Sequence, residues 1–195
     1  MVVAVVELQL ELDAAEVRRG RLEGEPVAPG LELLGETRAA VGVGLGAGVA
    51  PVRALLDASV RVGLGVDGTA SNERGDLFLE VKQALLVARG RGGPEALTAR
   101  EALRLGTRGS ASVLKRDDLG SLEPGKSADL AVWRTDGLEL AGADDPVAGL
   151  VFSGPHRVDR LVVAGEDVVR ESRLVRADEA EIAQEHRRVA ETFSG

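Results

Sequence analysis

The feature that most constrains this chain is a change of hydrophobic period that recurs between Pro51 and Leu105. Pro51 followed by Val52, Leu55 and Leu56 reads as a short helix opened by proline, which has no N–H to leave unbonded at the first helical position. The run Val60 to Val66 drops the helical spacing and reads as a buried strand. From Gly75 to Gly90 the apolar residues Leu77, Phe78, Val81, Ala84, Leu85 and Ala88 return to one helical face. Asp76 and Glu80 fall near the positive end of that helix dipole and Arg89 near its negative end. After the break from Gly90 to Pro94, Thr98 and Glu101 have the spacing of a capping box, opening a helix that carries Ala102, Leu103 and Leu105. Helix, strand and helix in alternation imply an α/β chain built on a parallel sheet or barrel.

The character changes near Leu119. Segments Asp129 to Trp133, Arg157 to Ala164 and Asp167 to Val175 are short and rich in Val and Leu. The turns Glu123 to Lys126 and Gly165 to Glu166 mark them as strands and hairpins. Ala177 to Phe193 reads as an amphipathic helix with Ile182, His186, Val189 and Phe193 on one stripe. Residues 1–43 behave differently. Val2 to Leu12 suits a strand and Asp13 to Arg19 a short helix, but Gly20 to Gly48 shows no sustained period. The expected organisation is therefore an atypical segment over 1–43, an α/β unit over 44–118, β strands over 119–176 and a terminal helix over 177–195.

Composition removes several function classes. With no cysteine, a disulfide scaffold, a thiol nucleophile and a Cys-ligated zinc site are excluded. The formal charge of −8 argues against nucleic acid or an anionic membrane as partner, since both attract cations. One Trp, three Phe and no Tyr leave almost nothing for a base-stacking platform, and the core must be aliphatic. No run reaches the roughly 18 apolar residues that span a bilayer, and Met1 to Leu10 lacks a basic n-region, so the expected location is the cytoplasm.

Asp67 is the leading candidate for chemistry. It ends the apolar run Val62-Gly63-Leu64-Gly65-Val66, and in parallel α/β folds the side chains at that strand end converge on one mouth. The competing reading is a carboxylate that caps a turn before the next helix. Ser71 and Asn72 either face a substrate or satisfy backbone donors ahead of the helix, and the second role is the commoner one for such residues. Gly63 and Gly65 lack the lysine of a P-loop and read as permitting close packing. His156 and His186 have no second histidine at ligand spacing and read as structural or surface residues. Asp144-Asp145 before Pro146 reads as a helix N-cap.

Two longer motifs carry a resemblance. Gly120-Ser121-Leu122-Glu123-Pro124-Gly125-Lys126-Ser127-Ala128-Asp129-Leu130 resembles the hairpin by which amidohydrolase-superfamily chains leave the barrel for a small β-sandwich. Val158 to Val169 resembles the later sandwich hairpin, with Ala164 where Asn is usual. Leu45 to Val52, then Val62 to Gly68 and Ala70-Ser71-Asn72, are similar to the aminohydrolase branch, which contains 8-oxoguanine and guanine deaminases and triazine hydrolases. The resemblance implies the end of a (β/α)₈ metal-dependent hydrolase barrel plus the C-terminal sandwich strands.

The same resemblance implies hydrolytic deamination of an oxopurine such as 8-oxoguanine. It matches Asp67 to the aspartate that follows the eighth barrel strand, which contacts the catalytic metal and exchanges protons with the attacking water. The family holds one zinc or iron ion with that aspartate, a His-x-His pair and two further histidines, and those four histidines have no counterpart here. A complete barrel needs about 250 residues, so only two or three βα units fit before the sandwich. The expectation is a fragment that binds no metal alone and is inactive alone, completed by an N-terminal chain or by a homo-oligomer. The alternative is a non-catalytic interaction or regulatory subunit that kept the fold fragment.

The abrupt start of recognisable motifs near Gly44 generates the first prediction: residues 1–43 arise from a shifted reading frame. Translating the same nucleotides in the other forward frames should reveal His-Cys-Pro, then Ser and Asn, just before Leu45, with metal-binding histidines further upstream. Closed alternative frames without those histidines would make the segment genuine.

Overall fold

The computed structural model describes residues 49–67, 72 and 74–193. The segments Val2 to Leu12 and Asp13 to Arg19, the unit at 1–43 and Ser71 lie outside them. The described chain opens with α1 (Val52–Asp57), which follows Pro51 as the sequence predicts. Helix α2 (Leu77–Gly92) buries Phe78, Val81, Ala84, Leu85 and Ala88 on the face given by their spacing, and its start is set by Asp76, whose side chain accepts from the N–H groups of Phe78 and Leu79. The capping box of Thr98 and Glu101 is formed in full at α3 (Ala99–Arg104).

The chain continues from α3 through a π turn, Leu105–Gly109, into α4 (Ser110–Val113). Helix α5 (Pro146–Ser153) begins at Asp145, which accepts from Val147 N–H and also pairs with Arg100 of α3 at 2.8 Å. Strands β1 (Leu130–Val132), β2 (Arg160–Val163), β3 (Glu166–Arg170) and β4 (Arg173–Leu174) form one sheet in that order, with every neighbour antiparallel. The expected single run Asp167 to Val175 is two strands, because Glu171 and Ser172 both take φ near +55° and reverse the chain. Ala164 and Gly165 do the same between β2 and β3. Helix α6 (Glu179–Glu191) closes the chain.

One expectation is corrected: Val60 to Val66 is not a laddered strand, since among the described residues no strand pairs with it. Val62, Gly63 and Leu64 are nonetheless buried, so this part of the run is internal without being part of a sheet. The antiparallel sheet lies where hairpins are expected, after Leu119. The terminal helix forms, with Ile182, Val189 and Phe193 of its stripe exposed and no residue of that helix buried.

One core joins α1, α2, α3, α5 and β1, with Leu85, Leu97 and Leu150 fully enclosed. Trp133, just past β1, reaches it by packing on Phe78 of α2, the ring centroids 5.2 Å apart. Among the described residues no helix is long and apolar enough to cross a membrane.

The tightest contact is between backbones. A Cβ on Gly63 would stand 2.7 Å from Ser110 Cα, and one on Gly109 would stand 2.3 Å from Val62 O. Gly63→Ala and Gly109→Ala should each destabilise the chain by about 1–3 kcal/mol in urea unfolding. Gly65→Ala, where nothing lies within 4 Å, should stay within about 0.5 kcal/mol.

Candidate functional site

The segment Val62–Val66 leads in sequence to Asp67 and, beyond it, to α2. Lacking a ladder, it draws backbone partners from one side chain. Ser110, buried on α4, accepts from Leu64 N–H at 3.1 Å, and its hydroxyl donates toward Leu64 O at 2.9 Å and Leu105 O at 3.0 Å. The approach is possible because Gly109, at the end of the π turn, and Gly63 carry no side chains where the two segments meet; Gly106 of the same turn instead packs on α2, where a Cβ would meet Val81 at 2.7 Å.

Asp67 is half-buried and takes φ +60°, a left-handed conformation that aspartate tolerates better than most residues. It thus ends the segment with a left-handed backbone conformation. The chain is described again at Asn72. Its side-chain carbonyl accepts from Arg74 N–H at 3.2 Å and Gly75 N–H at 2.9 Å, which is the backbone-satisfying role expected from the sequence. Its amide nitrogen donates to Glu80 Oε1 at 2.9 Å.

Glu80 is the residue whose burial sequence reasoning missed. It lies in the first turn of α2, as the dipole argument expects, but it is 3% exposed. The signal was present: position 80 lies three residues after Leu77 and four before Ala84, both on the apolar face. Its Oε2 is buried with no hydrogen-bond partner. Burial pushes the Glu80 carboxyl above its ordinary value, the Asn72 amide partly offsets this, and the nearby Asp76 charge adds to the rise.

Three carboxylates therefore surround this turn with different commitments. Asp76 is consumed as the cap of α2 and by Arg74 at 3.2 Å, and Glu80 is tied to Asn72 inside. Asp67, at the end of the 62–66 segment, is engaged as well. Among the described residues no three His, Cys, Asp or Glu side chains gather as a metal centre, so this donor set does not fit a metal by itself.

The two histidines are elsewhere. His156 lies beyond the end of α5, its Nε2 3.0 Å from Ser153 Oγ and its Nδ1 3.7 Å from Glu139 Oε1. The Ser153 hydroxyl donates to Gly149 O at 2.5 Å, so the group closes a helix end. His186 is exposed on α6. Two clefts, of about 560 and 820 Å³, lie beside Arg61 and α4 and beside β4 and α6, and Asp67 lines neither.

A family model described as the amidohydrolase family matches residues 13–168, beginning well upstream of Gly44. The chain is 41% identical over 146 residues to the 8-oxoguanine deaminase of Pseudomonas aeruginosa, an alignment covering 75% of this chain and 32% of that protein. It superposes on the crystal structure of an atrazine chlorohydrolase from Arthrobacter aurescens complexed with zinc. There the TM-score is 0.70 and the identity 43%, over 76% of this chain and 34% of that one. An adenosine deaminase from Xanthomonas campestris with bound zinc gives a TM-score of 0.74 at 30% identity, over 80% and 36%. The chain spans about a third of the length of these proteins.

The raised Glu80 ionisation has a pH consequence. An acid whose folded value lies above its unfolded value of 4.5 adds stability below that pH and loses it as pH rises through the folded value. Urea midpoints measured from pH 4 upward should therefore fall more in the wild type than in Glu80→Gln. Parallel curves for the two proteins would show that Glu80 does not titrate abnormally.

Proposed function

The chain belongs to the amidohydrolase family, and on that premise we propose that it is the part of a metal-dependent hydrolytic deaminase that carries the proton-transferring aspartate. The reading assigns residues 44–118 to the last βα units of a (β/α)₈ barrel, 119–176 to sandwich strands and 177–195 to a terminal helix. The substrate class is an oxopurine such as 8-oxoguanine. The observation that carries the proposal is the position of Asp67, at the end of the buried 62–66 segment and ahead of the α2 N-terminus, in a fold shared with zinc-bound hydrolases.

Hydrolytic deamination replaces a C–N bond by a C–O bond. Water adds to the ring carbon bearing the amino group, the new oxygen must lose a proton, and the departing nitrogen must gain one before it leaves as ammonia. One carboxylate within reach of both atoms performs both transfers in turn, and the proposal gives Asp67 that role. The family metal, zinc or iron, activates water in such enzymes. Its remaining ligands are four histidines by the family resemblance, and this sequence has two, His156 and His186, both downstream of Asp67.

A second reading, a non-catalytic interaction or regulatory subunit, is favoured by one observation: Ile182, Val189 and Phe193 leave an apolar stripe of α6 uncovered. The two readings part in an ammonia-release assay on 8-oxoguanine, guanine and related oxopurines with added zinc or iron. The isolated chain should show no turnover, and sustained turnover abolished by Asp67→Ala would overturn that expectation. A longer form that restores the histidine ligands should turn over. In it Asp67→Asn should lower kcat by about 10²–10⁴-fold with KM changed far less, because an amide keeps the shape but cannot accept the proton. A near-normal kcat in that variant would leave Asp67 a turn-forming residue and favour the interaction subunit.

A further inference from the structure

We infer that Glu80 is a positioning residue, whose buried carboxylate fastens Asn72 and so fixes, from inside α2, where the chain returns from Asp67. The inference rests on the reading of Asp67 as the residue at the site mouth.

Glu80 is 3% exposed, and only Oε1 has partners: Asn72 Nδ2 at 2.9 Å and, at the limit of hydrogen-bond length, Gln83 Nε2 at 3.5 Å. Oε2 is buried with none. A carboxyl held this way costs folding stability, since an apolar side chain of the same shape would fill the space without stranding an oxygen. The compensating interaction is the bond to Asn72, and Asn72 is committed at both ends of its amide. Its nitrogen goes to Glu80, while its oxygen receives Arg74 N–H and Gly75 N–H and forms the turn that delivers Asp76 to the cap of α2.

The two ends of the connection are thus held by different devices. Asp67 is set by the 62–66 segment clamped on Ser110, and Asn72 is set by the Glu80 latch. Only four residues separate them in the sequence, so a bond that fixes Asn72 also limits where Asp67 can lie. That matters because misplacing a reacting group by about 1 Å can cost on the order of 100-fold in rate. A helix that served stability alone would carry a leucine or methionine at position 80, as it does at Leu77, Leu79 and Leu85 around it.

The test uses the full chain and reads amide hydrogen exchange of the 67–76 peptide beside the urea midpoint, with Trp133 fluorescence as a monitor of the core. Glu80→Met keeps volume and removes the acceptor. It should speed exchange across 67–76 at least tenfold while the urea midpoint holds or rises. Asn72→Ala should give the same acceleration, and the double variant no more. Glu80→Gln, which retains an oxygen acceptor for Asn72, should stay within twofold of the wild type.

The inference is overturned if Glu80→Met leaves 67–76 unchanged. It is also overturned if that variant accelerates exchange throughout α2 and the core with a falling midpoint, or if Glu80→Gln behaves as Glu80→Met does. No turnover enters these readouts. Absent deaminase activity in the longer form that restores the histidine ligands would therefore refute the proposed function and leave the latch standing, whereas unchanged exchange in Glu80→Met would refute the latch alone.

Discussion

The architecture around the candidate site depends on the contact between residues 62–64 and the π turn with its following residue, Ser110. An apolar segment buried without a β ladder exposes its N–H and C=O groups to an interior that cannot solvate them, and each unpaired group is destabilising. Ser110 answers this at Leu64, accepting from its N–H and donating toward its carbonyl. The hydroxyl reaches because Gly63 and Gly109 carry no side chains and because the π turn lets Leu105 O share the same hydroxyl. Side chain, glycine and helix defect are parts of one device. Each is unremarkable alone.

From that clamp the position of Asp67 follows, and the turn it occupies shows how environment divides the labour among like groups. Asp67, Asp76 and Glu80 are all carboxylates within fourteen residues of sequence. Asp76 caps α2 and pairs with Arg74, Glu80 is desolvated and its ionisation raised, and Asp67 takes a left-handed conformation at the end of the 62–66 segment.

The antiparallel sheet is attached to this unit through Trp133 and Phe78, but its own order comes from polar contacts. Asp129, buried, accepts from Ala164 N–H at 2.6 Å and fastens the start of β1 to the end of β2. Asp167 lies between Arg160 and Arg170, whose hydrogen bonds and charges hold its carboxyl down to about 2. These groups order a sheet with little apolar area of its own. The exposed stripe on α6 shows that amphipathic patterning fixes a helix and its face without fixing what covers that face.

What the sequence determined is what contacts within a few residues decide. The Thr98–Glu101 box and Asp145-Pro146 are realised as read, since capping bonds span two or three residues and need no partner from elsewhere. The hairpin turns were legible for the same reason, apart from the reversal at Glu171 and Ser172, which carries no glycine to announce it. The family resemblance was legible in the motifs at 62–72 and 120–130, and the match to the amidohydrolase family bears it out. Tertiary structure alone decided that Val60 to Val66 has no ladder, that Leu105–Gly109 is a π turn, and that Ser110 bonds Leu64 across 46 residues. It also decided that Glu80 is buried against Asn72. A run of apolar residues specifies that a segment is inside, but the donors and acceptors it meets there come from other parts of the chain, and no local period encodes them.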